Sequence, residues 1–570
     1  MTLTRAALSA RIDQALGRRP ADLVIKHARI LNLATGALEE GDVAIAGELV
    51  VGTHDSYDGK VTVDGSGAVV VPGFIDTHVH VESSVVTPAE FDRCVLPRGT
   101  TTAVCDPHEI VNVLGAEGLE YFLDSAGDLA MDLRVQLSSC VPSTSLETAG
   151  ARLEAGDLLR YRDREPVIGL AEFMSFGDIF AHDGPTLDKL IAFEGAHIDG
   201  HAPLLSGHRL NAYAACGIHN CHESTNVAEA AEKLKKGFQV LIRDGSACKD
   251  VATLAPLLTD ASAPFIAFCT DDRNPLDIAE EGHLDHVIRT AIAAGAPVAA
   301  AYRSATWSAA KGFGLNDRGL VAPGYRADLV LLDDLETCAV RSVIRSGAPV
   351  TDASFPGRAE ARRPVGYGSV KLDPVDEAAF AVPSSGPTGP VIGLVPGTVL
   401  TEHLTLTLPY AGGLRERDPD ADVLKVCVFS RHGKNRNVGR GFVKGFGLRR
   451  GALASSVGHD SHNVIAVGCN DADMAAAVNR LIEIQGGFVA VADGRPVAEL
   501  PLPVAGLMSD RPFEEVRDGL RALRRGVKAL GCPLDEPLLQ LAFLPLPVIP
   551  HLKITDYGLV DVDRFELIAA

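Results

Sequence analysis

The sequence predicts an α/β protein organised on a (β/α)8 barrel, with a small β-sandwich built from both flanks and a C-terminal α+β domain. Three observations predict it. Eight apolar runs recur between about residues 73 and 307, most of them about 20 to 35 residues apart, with helical stretches between several. Those runs end on polar groups, near His80, Cys105, Cys140, Glu172, His201, His222, Arg243 and Asp271. A doubly wound open sheet gives no reason for polar residues at so many strand ends. Finally, short strand-like runs stand on both sides of this middle segment and leave it as an insertion.

In chain order, Met1–Arg11 lacks the continuous apolar core of a signal peptide and reads as a short amphipathic helix. Leu23-Val-Ile, Ala28-Arg-Ile-Leu-Asn-Leu, Asp42-Val-Ala-Ile and Glu48-Leu-Val-Val-Gly read as short strands, broken at Thr35-Gly36 and Glu40-Gly41. Their partners are expected in Gly319–Asp333 and Val340–Gly347, so residues 1–72 and 308–362 form one sandwich around a barrel at 73–307. Between barrel strands, Val227-Ala-Glu-Ala-Ala-Glu-Lys-Leu-Lys-Lys-Gly is a helix closed by a glycine C-cap. Residues 363–570 form the third domain, with a junction at, or slightly before, the Pro- and Gly-rich Val382–Pro390. Val423–Phe429, Ala452–Val457 and Asn463–Gly468 read as its strands, and Asp471–Gly487 and Phe513–Leu530 as its helices. The basic, glycine-rich Lys434–Arg450 matches neither a phosphate loop nor a dinucleotide fingerprint and reads as a surface turn.

Bulk properties narrow the function. Of 570 residues, 46% are hydrophobic and 22% charged, the balance of a globular protein with a sizeable core. A formal charge of −21 excludes a basic nucleic-acid surface and disfavours anionic membranes. No apolar run approaches the roughly 20 residues that span a bilayer. The eleven cysteines are scattered, without a Cys-x-x-Cys pair, as expected of free thiols in a reducing, cytoplasmic setting.

The chemistry starts at Pro72-Gly-Phe-Ile-Asp-Thr-His78-Val79-His80. Residues i and i+2 of a strand share a face, so both imidazoles can address one metal ion at the strand's C-terminal end. Glu172, His201, His222 and Asp271 end four later runs. A carboxylate between Leu170 and Phe173 is costly to bury alone, and coordination removes that cost. Four imidazoles and two carboxylates suit Zn²⁺, Mn²⁺ or Fe²⁺ rather than Ca²⁺. Six donors exceed one tetrahedral ion, so two divalent transition metal ions bridged by Glu172 are expected.

This order of His-x-His, carboxylate, His, His, Asp resembles the amidohydrolase superfamily. Pro72–His80 resembles its first motif; Ala305–Leu315 and Gly319–Val330 resemble its last, framing roughly residues 20–350. Within it the chain is similar to the bacterial adenine deaminase family. That likeness rests on Cys105-Asp-Pro-His-Glu, Gly207-His-Arg-Leu-Asn-Ala-Tyr, Cys221-His-Glu-Ser, Cys269-Thr-Asp-Asp-Arg-Asn-Pro and Glu281-Gly-His-Leu-Asp in the barrel. Gly458-His-Asp-Ser-His-Asn and Leu546–Val560 extend it into the third domain, with Gly458 standing where an alanine is expected. Relatives that open cyclic amides generally bridge their metals with a carboxylated lysine, whereas Glu172 occupies that position here.

The resemblance implies hydrolytic deamination of adenine to hypoxanthine and ammonia, with Asp271 passing a water proton to the leaving amine. Glu223 is the first candidate to protonate the ring, or else orients a ligand histidine; His108 is the second. His108, Glu109, His459 and His462 are the candidate substrate-binding residues. His108-Glu109 either lines the pocket or caps a helix, and Gly458–Asn463 either closes over the site or forms a structural turn. His283 and His286 read as supporting groups and Cys105, Cys221 and Cys269 as small core residues. The rivals are a cyclic amide or ureide hydrolase using the same metals, and a non-catalytic homologue, which would have lost ligands. A small-molecule substrate, no nucleic acid, no membrane and a homodimer are the partner expectations.

Overall fold

A computed structural model describes residues 3–355, 357 and 361–570. The N-terminal segment forms a helix, Arg5–Ala15, capped by the Thr4 side chain. It is not amphipathic: Leu8 and Ile12 face solvent and only Gln14 is buried, because its apolar residues are spread round the helix. Strand β1 (Ala21–Leu31) is continuous where two strands were expected, with a bulge between Ile25 and Ala28. His27 adopts φ 59° at that bulge. β2 (Leu38–Ala46) and β3 (Leu49–Thr53) follow antiparallel. β4 (Gly59–Asp64) and β5 (Val69–Pro72) both pair parallel with β1, β4 before the bulge and β5 after it.

The barrel strands are β6 (Phe74–Val79), β7 (Thr100–Cys105), β8 (Asp132–Leu137), β9 (Val167–Phe173), β10 (His197–Gly200), β11 (Asn220–Cys221), β12 (Gln239–Arg243) and β13 (Ile266–Cys269). All run parallel, in two arcs of five and three strands. Near-continuous burial explains their apolar composition, since a parallel sheet is covered on both faces. The arcs meet where the Gly200 amide donates to Asn220 Oδ1 at 2.7 Å. Gly200 is required there, because a Cβ would lie 2.1 Å from the Asn220 carbonyl oxygen. On the other side Asp271 N donates to the His78 carbonyl at 3.0 Å and His80 N to the Asp271 carbonyl at 3.1 Å. The third strand stops at Leu137, short of the expected Cys140.

After the barrel, β14 (Leu329–Asp334), β15 (Ala339–Arg345) and β16 (Ala348–Pro349) rejoin the first sheet, with β14 antiparallel to β5. The chain therefore enters and leaves the barrel on adjacent strands. Leu23, Ile25, Val43, Val70 and Leu329 pack on one face of this eight-stranded sheet, and Val24, Ala44, Val51 and Tyr57 form a second cluster.

The C-terminal unit is an eight-stranded mixed sheet. Val382–Pro390 lies just inside this unit: Val370 and Phe380 already pack in its core, and Thr388–Leu394 is a strand of its sheet, paired with Thr401–Thr407. One expectation fails: Lys434–Arg450 is no surface turn, because Val438–Lys444 is a strand between Thr388–Leu394 and Val423–Phe429. Its glycines admit the hairpin Leu552–Asp561; a Cβ on Gly439 would lie 1.8 Å from the Thr555 carbonyl oxygen. Helix Asp471–Glu483 covers the sheet with Met474, Val478 and Leu481. Helix Phe513–Ala529 ties the unit to the barrel through Arg524–Asp277 at 2.8 Å and Glu514–Arg93 at 2.9 Å. Among the described residues no helix is long and apolar enough to cross a membrane.

Candidate active site

The six expected donors converge at the C-terminal mouth of the barrel, where βα loops place chemistry on this fold. Every one is buried. His78 and His80 leave β6 with their Nε2 atoms 3.2 Å apart. His80 Nδ1 lies 3.0 Å from the Asp106 carbonyl, which can only accept, and His78 Nδ1 faces Asp199 Oδ2 at 3.3 Å. Both Nδ1 atoms therefore carry the protons and both Nε2 lone pairs point at the same spot. Two facing lone pairs repel unless a cation lies between them, so these residues fit a metal ion.

Glu172 sits between two histidine pairs. Its Oε1 is 3.3 Å from His80 Nε2 and 3.9 Å from His78 Nε2. Its Oε2 is 2.7 Å from His201 Nδ1 and 3.3 Å from His222 Nε2. Asp271 Oδ1 closes the first group at 3.1 Å from His80 and 3.6 Å from His78. Asp271 is held there by a left-handed backbone, φ 56°, which a strand end in a packed barrel can impose. Burial opposes charge on Glu172, but the imidazole of His201 and the hydrogen bonds from His201, His222 and His80 hold its carboxyl well below the usual range.

Several supports were not legible as such. Arg243, noted only as a strand end, is fully buried and forks onto Glu223, with Nη2 3.1 Å from Oε2. The same guanidinium donates to Asp271 Oδ2 at 2.6 Å. Burial raises the Glu223 and Asp271 carboxyls, yet Arg243 together with the neighbouring histidines outweighs it, and both titrate below their ordinary values. Glu223 is thus kept ionised, so the structure gives it no resident proton. Asp199 bonds His78 and also His197 Nε2 at 2.8 Å, which fixes the His78 ring. Tyr213, from the Gly207 motif, accepts from His201 N at 2.9 Å and donates to the Phe173 carbonyl at 2.7 Å. His283 contacts Thr100 and Asp76 away from the centre, as expected of a supporting group. The clue available in the sequence was position alone: a polar residue ending a barrel strand.

The C-terminal unit supplies the roof. His459, Asp460, Phe543, Leu546 and Val399 line the cavity with Met174, Asp272 and His108 from the barrel. The Gly458–Asn463 loop therefore closes over the site. His459 stacks on Phe543 with centroids 5.2 Å apart. Of the four expected substrate contacts, His108 and His459 line this cavity and Glu109 and His462 do not. Glu109 turns back to accept from Ser83 Oγ at 2.6 Å, and His462 Nδ1 accepts from Gly458 N at 3.2 Å. Neighbouring residues on a helix or tight turn point in different directions, which separates each pair. His108 is the first residue of the helix His108–Leu114 but does not cap it: the N-cap is Pro107 and no side chain closes that end, so of the two alternatives only the pocket lining holds for His108. The free space is about 30 Å³, room for one water molecule rather than a purine.

Residues 69–350 match the amidohydrolase family, and residues 398–566 match the adenine deaminase C-terminal domain. Over 564 residues the chain is 61% identical to an adenine deaminase of Methylobacterium nodulans, covering 99% of this chain and 100% of that one. It is 58% identical over 564 residues to an adenine deaminase of Cereibacter sphaeroides, with 99% and 100% covered. To adenine deaminase 1 of Rhizobium meliloti it is 58% identical over 562 residues, with 99% of each covered. The roof and the barrel site thus belong to one continuous likeness, and the chain is a member of the adenine deaminase family of amidohydrolases.

Proposed function

We propose that the chain hydrolyses adenine to hypoxanthine and ammonia at the mouth of the barrel. The observation that carries the reaction class is Glu172 offering one oxygen to each histidine pair. The substrate is taken from the relatives, which are adenine deaminases aligned over their full length.

Two divalent cations of the Mn²⁺, Fe²⁺ or Zn²⁺ type fit the donors. His78, His80, Asp271 and Glu172 Oε1 would hold one; His201, His222 and Glu172 Oε2 would hold the other. Bound there, such ions supply the Lewis acidity that brings the pKa of a water near neutrality. The protein's own groups handle the protons. Asp271 handles two protons: it accepts the one released by the attacking water, and later takes the hydroxyl proton of the tetrahedral adduct and delivers that second proton to the departing amine. Arg243 keeps Asp271 Oδ2 beside Glu223, so a proton accepted there can pass to Glu223 and on to the purine ring. Phe543, Leu546, Met174 and Val399 exclude water and offer apolar faces to a planar base. Because the free volume is smaller than the substrate, the roof must move for adenine to enter.

The test is ammonia release from a panel of nucleobases and cyclic ureides after reconstitution with Mn²⁺, Fe²⁺ or Zn²⁺. Hypoxanthine formed from adenine in step with ammonia is the expected result. Ring opening of a hydantoin without deamination of adenine refutes the assignment.

A further inference from the structure

A buried lysine ties together the parts of the roof that face the cavity. The cavity wall has two origins: the donors and their supports belong to the barrel, whereas Val399, His459, Asp460, Phe543 and Leu546 belong to the C-terminal unit. Val399 and Phe543 come from separate segments, yet both carbonyls accept from Lys553 Nζ, at 2.8 and 3.1 Å. Lys553 is fully buried and, among the described residues, meets no carboxylate. Burying an amine is costly unless hydrogen bonds offset it, and here those bonds go to two residues that line the cavity.

Further bonds knit the same segments. Gln540 Nε2 donates to the Thr398 carbonyl at 3.2 Å, and Thr401 Oγ1 to the Leu552 carbonyl at 2.8 Å. His459 N donates to the Ala542 carbonyl at 2.9 Å, beside the stacking of His459 on Phe543. Val399, His459 and Phe543 thus form one plate. The chemistry of adenine sets how the base meets it, given the deaminase reading on which this inference rests. C6 is the carbon attacked, so its edge lies against the donors. The C6–amine and N9–H bonds point in nearly opposite directions across the bicycle, which turns N9 away from the donors and toward the roof. With the roof in place about 30 Å³ is free, so the plate opens for the base and returns to exclude water. A substituent on N9 stands in the way of that return.

We propose that the plate carrying Val399 and Phe543, stapled by Lys553, is the filter that admits a free purine base and rejects purines substituted at N9, nucleosides among them. Val399, Phe543 and Leu546 present an apolar wall, against which the hydroxyls of a sugar are left unpaired. Lys553 is a positioning residue: it acts through the two wall residues whose carbonyls it holds. Without it the two segments part, and the wall yields to a substituent that it otherwise stops.

The experiment compares ammonia release from adenine and from 9-methyladenine by the full chain reconstituted with Mn²⁺. Wild type, Lys553→Met, Lys553→Gln and Val399→Gly are measured, and the quantity read is the ratio of kcat/KM for the two purines. A role in stability alone lowers both rates together and leaves that ratio unmoved. Wild type is expected to favour adenine by about 100-fold, the scale of one methyl group in a closed pocket. Lys553→Met and Val399→Gly should bring the ratio to about 10-fold or below, with Lys553→Gln, which keeps a donor for the carbonyls, in between. Circular dichroism checks folding, and Val399→Gly decides the matter if the lysine variants do not fold. Equal turnover of both purines by the wild type overturns the proposal. An unchanged ratio in folded Lys553→Met or Val399→Gly overturns it too, and leaves the deaminase reading standing. No ammonia from adenine in the wild type refutes that reading itself, and the filter with it.

Discussion

Arg243→Met tests whether one guanidinium holds two buried carboxylates at the end of the seventh barrel strand. Arg243 forks onto Glu223 and reaches Asp271 Oδ2 at 2.6 Å, and all three side chains are buried. Methionine keeps most of the aliphatic stem and deletes the charge. Removing one partner of a buried ion pair costs about 3–5 kcal/mol, chiefly because the other charge is left uncompensated. Asp271 retains its histidine neighbours, so the lower end applies, about 3 kcal/mol. For a unit of barrel size this lowers Tm by about 6–12 °C. The pH dependence has a definite sign. Burial raises the Glu223 carboxyl from its ordinary 4.5, but Arg243 with His201 and His222 more than offsets it, so the folded value is depressed. Stability from such a group is fully present above the ordinary value and is lost as pH falls through the folded one. In the variant Arg243 no longer opposes burial, so the Glu223 carboxyl rises and takes up a proton as pH falls, which relieves part of the cost. Calorimetry should therefore show a narrower gap between variant and wild type at pH 5.5 than at pH 7.5. Arg243→Lys, which keeps charge without the fork, should fall between them. A Tm for Arg243→Met within about 1 °C of wild type at pH 7.5, or a gap that widens at pH 5.5, would refute the reasoning.

Three further outcomes follow from single contacts. Asp271→Asn should leave the circular dichroism unchanged and lower kcat by several orders of magnitude; near-normal turnover removes Asp271 from the proton path. Lys553 is fully buried, donates to the Val399 and Phe543 carbonyls at 2.8 and 3.1 Å, and is pushed down to about 7 by burial. The unfolded chain holds that proton up to about 10.5, so in the wild type this lysine makes stability rise between pH 7 and 10. Lys553→Met should lose that part of the rise between pH 7.5 and 9.5, and an identical pH dependence of Tm would sink the idea. Gly439→Val puts a Cβ 1.8 Å from the Thr555 carbonyl oxygen, so the Leu552–Asp561 hairpin must separate from the sheet. The expected cost exceeds the roughly 1–3 kcal/mol of ordinary overpacking, because the obstacle is backbone. A Tm equal to wild type would show that the two layers can part freely.

The metal ligands were legible because a strand imposes a local rule. His78 and His80 share a face by the two-residue period, and Glu172, His201, His222 and Asp271 each interrupt an apolar run at its end. The misreading of Lys434–Arg450 came from composition that serves two purposes. Gly439 and Gly441 look like turn glycines, but their missing side chains make room for Thr555 and Leu559 in the hairpin packed on their strand. Prolines and glycines at 382–390 lie just inside the C-terminal unit, ahead of Val391 and Ile392, which are core residues of its strand.

By itself, then, the sequence determined the barrel's strand ends apart from the third, the six donors and the separate character of the last 200 or so residues, because helix and strand periodicities are short-range. Tertiary structure decided which polar residues act together. Arg243 meets Glu223 and Asp271, 20 and 28 residues away, and Asp199 meets His78 across 121. It also decided that His459 and Asp460 roof the site while His462 and Glu109 face away from it. These pairings depend on how strand ends and loops from separate layers are stacked, and no local period encodes that.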